Sequence, residues 1–171
     1  MDLREIQRPL KDRYRSEPAS SRITLRASGT QQDGPMACSV EVGRAIARAE
    51  AHPGVGGAGT SACSGDLLLG ALAACAQITC QMVAAAIGVP VRSVETVVEG
   101  DLDLAGTLGL SKEVPVGFES IRMRFELDAP EADAEQLAAL RKLTERYCVV
   151  MQTLARPPAV TSEWSAGGAA A

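Results

Sequence analysis

The sequence predicts a single α+β domain in which antiparallel sheets pack on one long central helix. Three observations carry this prediction. Residues 67–89 contain no charged side chain, stretches of period-two alternation lie before and after that run, and a capped amphipathic segment follows them. Separate strands and helices in this order are typical of the α+β class. With 171 residues the chain can bury one core without disulfides or a structural metal.

Composition excludes several classes of function. The formal net charge is -4 with both signs mixed, so the basic footprint of a nucleic-acid-binding protein is missing and no nucleic-acid partner is expected. Five cysteines and one histidine, with no apolar leader at the start of the sequence, indicate a reducing, cytoplasmic location. The cysteines are therefore single thiols to be judged one by one.

The first part of the chain divides into an arm and a hairpin. Residues 1–21 form a charged arm or short surface helix, residues 22–165 the domain, and the Ala/Gly-rich residues 166–171 a disordered tail. Alternation at Ile23 and Leu25, a turn-like stretch at 29–34 and renewed alternation over 36–42 predict two paired strands. Residues 44–51 either extend the second strand or add a third.

The uncharged run predicts a helix from Asp66 to Ile87, closed by Gly88 and Pro90. Its length would span a bilayer. However, it is rich in Ala, polar residues interrupt its middle and no basic residue flanks its start, which favours a core helix and no membrane partner. A helix that is apolar all round is buried all round. A small domain seldom surrounds one so fully, so a second copy of the chain is expected to wrap it as a dimer.

Two further strands and a second helix follow. Val94, Val98 and Leu102 alternate with acidic residues, and the stretch 121–128 alternates apolar residues with Arg122 and Arg124, so antiparallel pairing places opposite charges together. The loop 105–118 between them is long enough to be functional. Asp133 and Gln136 form a predicted capping box for a helix to residue 147. It runs on through 148–154, and a short strand is predicted from Ala159 to Trp164.

The cysteine spacings offer no metal site. Cys75 and Cys80 lie about 140° apart on a helix, so they cannot share a metal ion, and no CxxC, HxxxH or HExxH pattern occurs. No metal or cofactor is expected. Cys38 and Cys63 are interpreted as buried fillers. The single histidine, His52, lies in a Gly-rich loop and is interpreted as an exposed turn residue rather than a catalytic base.

Two segments resemble a known family. They are Asp66-Leu-Leu-Leu-Gly-Ala-Leu-Ala-Ala-Cys75 and the later Cys148-Val-Val-Met-Gln-Thr-Leu154. They resemble two segments of the OsmC/Ohr family of thiol-dependent peroxidases, a helix of the form LLAAALAAC and a C-V-x-x-x-L segment. The resemblance covers roughly residues 22–165. It implies an OsmC/Ohr-like fold and an intertwined homodimer with active sites at the subunit interface.

The resemblance also implies a mechanism. Cys75 would be the peroxidatic cysteine that attacks an organic hydroperoxide, Cys148 the resolving cysteine that closes a disulfide, and an external dithiol the reductant. Cys75 lies in the middle of a helix and gains nothing from the helix dipole. Cys148 is expected to open its own helix and so to be the more acidic thiol, unless an arginine reaches Cys75.

The sequence departs from the family at one position. The family usually places a Glu ten residues before the first cysteine, where it holds an Arg over the thiolate, and here that position is Gly65. Asp66 lies about 180° from Cys75 on an ideal helix, so it serves the site only from the helix cap, and simple capping is the alternative. Arg48 and Arg26 are the candidate cations, with plain surface positions as the alternative.

Two other functions stay open. The first is an OsmC-fold binding protein that has lost efficient turnover, as Gly65 would allow. The second is an acyl-transferring or hydrolytic cysteine enzyme, for which the sequence shows no base.

Overall fold

The computed structural model describes residues 3–32 and 34–165, so the predicted tail at 166–171 lies outside the described residues. Within these residues, five α-helices and five strands follow the predicted order except for the short helix between the last two strands and the missing final strand. In chain order they are α1 (Leu3–Ser16), β1 (Ala27–Gln32), β2 (Ala37–Val42), β3 (Ala45–Glu50), α2 (Ser64–Ile87), β4 (Ser93–Asp101), α3 (Leu104–Thr107), β5 (Ser120–Asp128), α4 (Ala134–Tyr147) and α5 (Val149–Ala155).

The first sheet is an antiparallel meander in the order β1-β2-β3. Its first strand begins at Ala27, so the prediction of a strand around Ile23 and Leu25 is wrong, and these side chains are 78% and 86% exposed. Gly29 lies inside β1 opposite Val40 rather than in the turn, because the backbone ladder with β2 outweighs the turn preference of a glycine. Residues 45–50 form the third strand.

The turn between β2 and β3 depends on a glycine. Val42 pairs with Ala45, which leaves a two-residue loop. Gly43 adopts a φ of 61° there, the left-handed conformation that such a loop requires.

The three-stranded sheet is tied to the body of the domain at its β3 end. Glu50 is buried and its carboxylate accepts hydrogen bonds from the amides of Thr60 and Ser61 and from the Thr60 hydroxyl. Elsewhere the sheet leaves large apolar side chains in solvent: Val42 is 51% and Ile46 74% exposed. One chain therefore provides no full cover for this sheet.

Helix α2 forms the centre of the domain, close to the predicted bounds. The side chain of Cys63 caps its start, and Gly88 ends it with a φ of 75°. One face is buried, comprising Leu72, Ala76, Cys80, Val83 and Ala84. The opposite face is not, since Ile78 is 54% exposed. Within one chain α2 is therefore buried on one face only, and the expected burial on every side, by a second copy of the chain, stays a prediction.

Polar residues in the middle of α2 have defined partners. Gln77 donates to the carbonyl of Val94 at 2.7 Å and accepts from the hydroxyl of Thr96 at 2.8 Å, which fixes α2 on β4. Among the described helices α2 is the one long and apolar enough to span a membrane by length and composition. It packs instead against β4, α4 and α5, as a core helix does.

The second sheet consists of β4 and β5 paired antiparallel, as predicted. Glu99 lies directly opposite Arg122, and the Arg122 guanidinium also binds Asp101. This pairing holds the pKa of the exposed Asp101 carboxyl at about 2, because Arg122 and then Ser120 donate hydrogen bonds to it. The predicted antiparallel pairing thus brings Arg122 to the acidic row, whereas Arg124 lies opposite Val97 and pairs with Glu126 of its own strand.

The sequence predictions for the first and the last described segments had different outcomes. Helix α1 lies against the end of α2, where the Arg4 guanidinium donates to the carbonyl of Ala86 at 2.6 Å. The strand predicted from Ala159 to Trp164 is wrong: these residues have no regular structure, and Trp164 is 93% exposed. Without a neighbouring strand to pair with its backbone N–H and C=O groups, this segment does not form a strand.

The capping box of α4 provides a test of the fold. The Asp133 carboxylate accepts from the Gln136 amide at 2.8 Å, and the Gln136 side chain accepts from the Asp133 amide at 3.0 Å. We expect Asp133→Ala to lower the free energy of unfolding by about 1 kcal/mol in chemical denaturation. Lys142→Ala, an exposed position in the same helix, is the control and should change it by less than about 0.5 kcal/mol. Equal losses would contradict the role of the cap.

Candidate active site

Cys148 lies at a bend between two helices. It ends α4 and begins α5 with an extended conformation, φ -69° and ψ 105°. Its amide donates to the carbonyl of Thr144 at 3.0 Å and its carbonyl accepts from the amide of Gln152 at 2.9 Å. The Gln152 side chain bridges the bend by donating to the carbonyl of Glu145 at 2.8 Å. These bonds hold the Cys148 side chain pointing inward, where it is 0% exposed.

The structure brings Cys75 and Cys148 together. Cys75 lies in the middle of α2, partly buried, and packs on the cluster formed by Leu72, Ala76 and Cys148. Cys75 packs against the cluster that contains Cys148, and each thiol influences the pKa of the other, although about seventy residues separate them in sequence. Both are free thiols. The first turn of α5 also reaches this point, because Val150 packs on the same cluster.

The surroundings of Cys75 favour its thiolate. Burial is the largest single influence and opposes ionisation. Against it act hydrogen bonds from the Val150 amide, the Cys148 thiol, the Thr79 hydroxyl and the Val149 amide. Together these hydrogen bonds outweigh burial and hold the pKa of Cys75 below its ordinary value. The Thr79 hydroxyl oxygen lies 4.0 Å from the Cys75 sulfur, one helical turn further along α2.

The pKa of Cys148 is shifted in the opposite direction. Burial, and then the neighbouring Cys75, raise the pKa of the Cys148 thiol above its ordinary value, against weaker support from the amides of Met151 and Val150. The expectation that Cys148 is the more acidic thiol is therefore wrong. Its side chain makes no capping hydrogen bond to α5. The amides of Val149 and Val150, in the first turn of that helix, also act on the Cys75 sulfur.

Neither candidate arginine lies at the pair within one chain. Arg26 precedes β1 and Arg48 lies on β3 opposite Ser39, both with exposed side chains. The Arg48 guanidinium acts on Glu50, whose pKa is lowered chiefly by the Ser61 amide. The main influences on the pKa of Cys75 are burial and neutral hydrogen-bond donors, and the two guanidinium groups are not among them.

Asp66 belongs to the cap of α2. Its carboxylate accepts from the amide of Cys63 at 2.8 Å, and its amide donates to the Cys63 sulfur at 3.4 Å. Hydrogen bonds from Cys63 lower the pKa of Asp66. Asp66 therefore serves as a capping residue. It lies about two and a half turns before Cys75 and on the opposite side of the helix. Cys63 is a capping residue rather than a buried filler.

An aromatic ring occupies the space beside Gly65. A Cβ at position 65 would lie 3.3 Å from the Phe118 ring, and one at Gly100 would lie 2.7 Å from it. The ring therefore sits between two glycines, one on α2 and one on β4. A larger side chain at position 65 needs Phe118 to move. Sequence reasoning missed Phe118, which the long loop 105–118 delivers to this place.

A cleft of about 480 Å³ lies at the start of α2. Glu50, His52, Cys63, Asp66 and Phe118 are among its lining residues. His52 is an exposed turn residue as predicted, and its Nδ1 accepts from the Gly54 amide at 3.0 Å. Sequence reasoning missed Glu50, since nothing in its neighbourhood signals a buried carboxylate. From Leu69, which also lines the cleft, Cys75 is about 9 Å further along the helix axis.

The other cysteines lie apart from the pair. Cys80 is buried in a separate cluster with Val83, Ala84 and Leu140, and burial raises the pKa of its thiol. Cys38 is partly buried on β2 opposite Ala49. Across residues 3–32 and 34–165, no group of three or more His, Cys, Asp or Glu side chains is arranged to hold a metal ion.

Comparison with known proteins identifies the family. The family model described as OsmC-like protein matches residues 57–163, more than half of the chain. The chain belongs to the OsmC-like family. The comparison with curated proteins gives no significant match.

Solved structures share the fold at low sequence identity. An OsmC-like protein from Mycoplasma pneumoniae has a TM-score of 0.66 and 15% identity, covering 79% of this chain and 89% of that one. An organic hydroperoxide resistance protein from Elizabethkingia anophelis has a TM-score of 0.63 and 15% identity, covering 80% and 91%. An organic hydroperoxide resistance protein OsmC from Legionella pneumophila has a TM-score of 0.59 and 17% identity, covering 79% and 90%. These similarities show an OsmC fold.

The asymmetry of the two thiols gives a testable prediction. We expect iodoacetamide to alkylate Cys75 with a pH midpoint below that of an ordinary thiol, and Cys148 only at higher pH, when the modified peptides are quantified by mass spectrometry. Thr79→Val should raise the Cys75 midpoint and slow its alkylation near neutral pH by about threefold, because one donor to the thiolate is lost. Thr107→Val, away from the pair, is the control. An unchanged Cys75 midpoint in Thr79→Val contradicts this account.

Proposed function

We propose that this protein is a thiol-dependent peroxidase that reduces organic hydroperoxides at Cys75 and Cys148. The observation that carries the proposal is the packing of Cys75 against the buried cluster that contains Cys148, where the pKa of Cys75 is lowered and that of Cys148 is raised. A thiolate is the nucleophile toward a peroxide, and a neighbouring thiol that keeps its proton is suited to resolve the product. The names of two structural neighbours, which are organic hydroperoxide resistance proteins, support the substrate class.

In the first step the Cys75 thiolate attacks one oxygen of the hydroperoxide ROOH. A sulfur–oxygen bond forms, the oxygen–oxygen bond breaks, and the leaving RO⁻ takes up a proton to become the alcohol. Cys75 is oxidised to a sulfenic acid and the peroxide is reduced. The hydrogen bonds to the Cys75 sulfur hold the attacking thiolate in place.

In the second step Cys148 resolves the sulfenic acid. Its sulfur attacks the Cys75 sulfur, a disulfide forms, and the hydroxyl group of the sulfenic acid leaves as water with the proton of Cys148. The cysteines are already neighbours on α2 and at the α4–α5 bend, so no large movement is needed. A dithiol reductant then reduces the disulfide by exchange and is itself oxidised to a disulfide.

A second function is supported by one observation. The family usually has a Glu ten residues before the first cysteine. Here that position is Gly65, and the Phe118 ring lies in the space beside it. An OsmC-fold binding protein with weak or no turnover fits this difference. The rate of peroxide loss separates the two functions.

We propose that the protein forms an intertwined homodimer in the cytoplasm. The open three-stranded sheet and the exposed face of α2, with Leu68, Ile78 and Met82 between 39% and 54% exposed, support a second copy as their cover. Arg26 and Arg48 lie on or next to that open sheet. In such a dimer these arginines are our candidates for cations supplied to the partner's thiol pair, and Asp66 remains a capping residue.

Turnover tests the peroxidase. With cumene hydroperoxide and dithiothreitol, we expect Cys75→Ser to abolish catalytic peroxide loss, a fall of at least about 1000-fold, because the nucleophile is removed. Without reductant, Cys148→Ser should consume one equivalent of peroxide and accumulate a Cys75 sulfenic acid that dimedone traps. Cys38→Ser is the control and should match the parent. Peroxide loss in Cys75→Ser at the parental rate would exclude this mechanism.

Light scattering tests the dimer. We expect a mass of twice the 17.8 kDa of one chain. Ile78→Arg places a charge on the exposed face of α2 and should shift the protein to the monomer mass, since an unpaired charge in an apolar interface is costly. Ile23→Arg changes an isoleucine that is also exposed but lies outside the helices and strands; it is the control and should remain a dimer. A parent that is monomeric at micromolar concentration contradicts the proposal.

A further inference from the structure

A cleft of about 520 Å³ lies between β5 and α4, with α2 behind it. Most of its wall is apolar, with Met123 and Phe125 from β5 and Leu137 and Leu140 from α4. Neither thiol of the candidate active site lines it, so it is a separate feature of the domain. Its volume is within the range of small-molecule binding sites.

Two small side chains leave this space between the helices. Cys80 lies on the face of α2 that packs against α4, and Thr144 follows Leu137 and Leu140 on one stripe of α4. Cys80 is 2% and Thr144 3% exposed, so they form the floor of the cleft. Burial raises the pKa of the Cys80 thiol and the Thr144 side chain acts against that rise, which places the two side chains next to each other.

The Thr144 hydroxyl is an unpaired polar group at this floor. Among the described residues it has no hydrogen-bond partner, and the neighbouring Cys80 thiol is only a weak donor and acceptor. A buried hydroxyl that stays unpaired costs stability, and nearly all such groups in native proteins have a partner. An oxygen of a molecule in the cleft would provide that partner.

The charged side chains at the mouth of the cleft are already paired. Arg141 forms an ion pair with Glu145 at 2.9 Å, and Arg124 forms one with Glu126 at 3.0 Å. Arg124, Arg141 and Glu145 line the cleft with exposed side chains, so they lie at its outer edge. Because each guanidinium already has a carboxylate partner and the wall is apolar, a neutral ligand is favoured over an anion.

The cleft lies on the side of α2 away from the proposed dimer contact. Cys80 follows Ile78 by two residues, which is about 200° around the helix. Ile78 is 54% exposed, whereas Cys80 is 2% exposed. A second copy that covers Ile78 therefore approaches α2 from the side opposite the cleft.

We propose that this cleft binds a neutral, largely apolar small molecule through one hydroxyl or carbonyl oxygen that forms a hydrogen bond with Thr144. The apolar body of the ligand packs against Met123, Phe125 and Leu137. Binding is non-covalent and involves neither thiol of the candidate active site. The inference therefore does not depend on the proposed peroxidase function.

Titration of the reduced full-length chain with matched probes tests the site. The probes 4-isopropylbenzyl alcohol and 4-isopropylbenzoate share one apolar body and differ in charge. We expect the benzoate to bind the parent at least about tenfold more weakly than the alcohol. Thr144→Val keeps the branched shape without the hydroxyl and should raise the Kd of the alcohol by about tenfold. Thr153→Val removes an exposed hydroxyl outside the cleft; it is the matched control and should leave the Kd unchanged.

NMR locates the bound alcohol in the parent. Intermolecular nuclear Overhauser effects should connect the probe to the methyl groups of Met123 and Leu140, and not to those of Leu69 in the cleft at the start of α2. These measurements and the comparison of the two probes need no variant. Thr144→Ser restores a hydroxyl and should bind the alcohol more tightly than Thr144→Val does.

Four results would each overturn the site. They are no saturable binding of the alcohol by the parent up to about 3 mM, equal Kd values for the alcohol in the parent and in folded Thr144→Val, tighter binding of the benzoate than of the alcohol, and contacts to Leu69 in place of Met123 and Leu140. Chemical denaturation shows that the variant is folded. Thr144→Val should unfold at the same or a higher denaturant concentration than the parent, because it removes an unpaired buried hydroxyl.

Discussion

The contact between the middle of α2 and the bend at Cys148 is the interaction on which the candidate site depends. Several bonds fix its two sides separately. Gln77 holds α2 on β4, and the amide of Cys148 is bound to the carbonyl of Thr144. Because both elements also share one buried cluster, the two sulfur atoms meet without any covalent link between the segments. The pair is therefore a product of core packing, and changes in the core act directly on its chemistry.

The bend also bears on which thiol is ionised more easily. A residue that caps a helix normally directs its side chain to the free amides of the first turn. The Cys148 sulfur makes no capping hydrogen bond and is fully buried, and the amides of Met151 and Val150 support its thiolate less than burial and Cys75 oppose it. The amides of Val149 and Val150 also act on the sulfur of Cys75, which lies on another helix. Each cysteine alone would be a poor redox residue, one in the middle of a helix and one buried, but the arrangement gives them complementary roles in the proposed cycle.

The sequence predicted those features whose cause is local. The uncharged run ended by Gly88 predicted α2, the alternation of apolar and charged residues predicted β4 and β5, and the capping box predicted α4. Features set by distant partners were not predictable in this way. The alternation at Ile23 and Leu25 and the segment from Ala159 to Trp164 form no strand, because no neighbouring strand pairs with them. The order of acidity of Cys75 and Cys148 depends on which sulfur the α5 amides reach, and residue spacing holds no information on that.

The lack of a carboxylate at position 65 is consistent with the neutral hydrogen-bond donors around Cys75. A guanidinium placed over a partly buried thiolate loses hydration, and a nearby carboxylate normally compensates by holding it there. Here the Phe118 ring lies between Gly65 and Gly100, in the space that such a side chain would need. Within the chain, neutral donors take over the stabilisation: two amides, one hydroxyl and one thiol. Neutral donors carry a smaller desolvation cost than a buried cation, so this arrangement lowers the pKa of Cys75 without requiring an ion pair inside the fold.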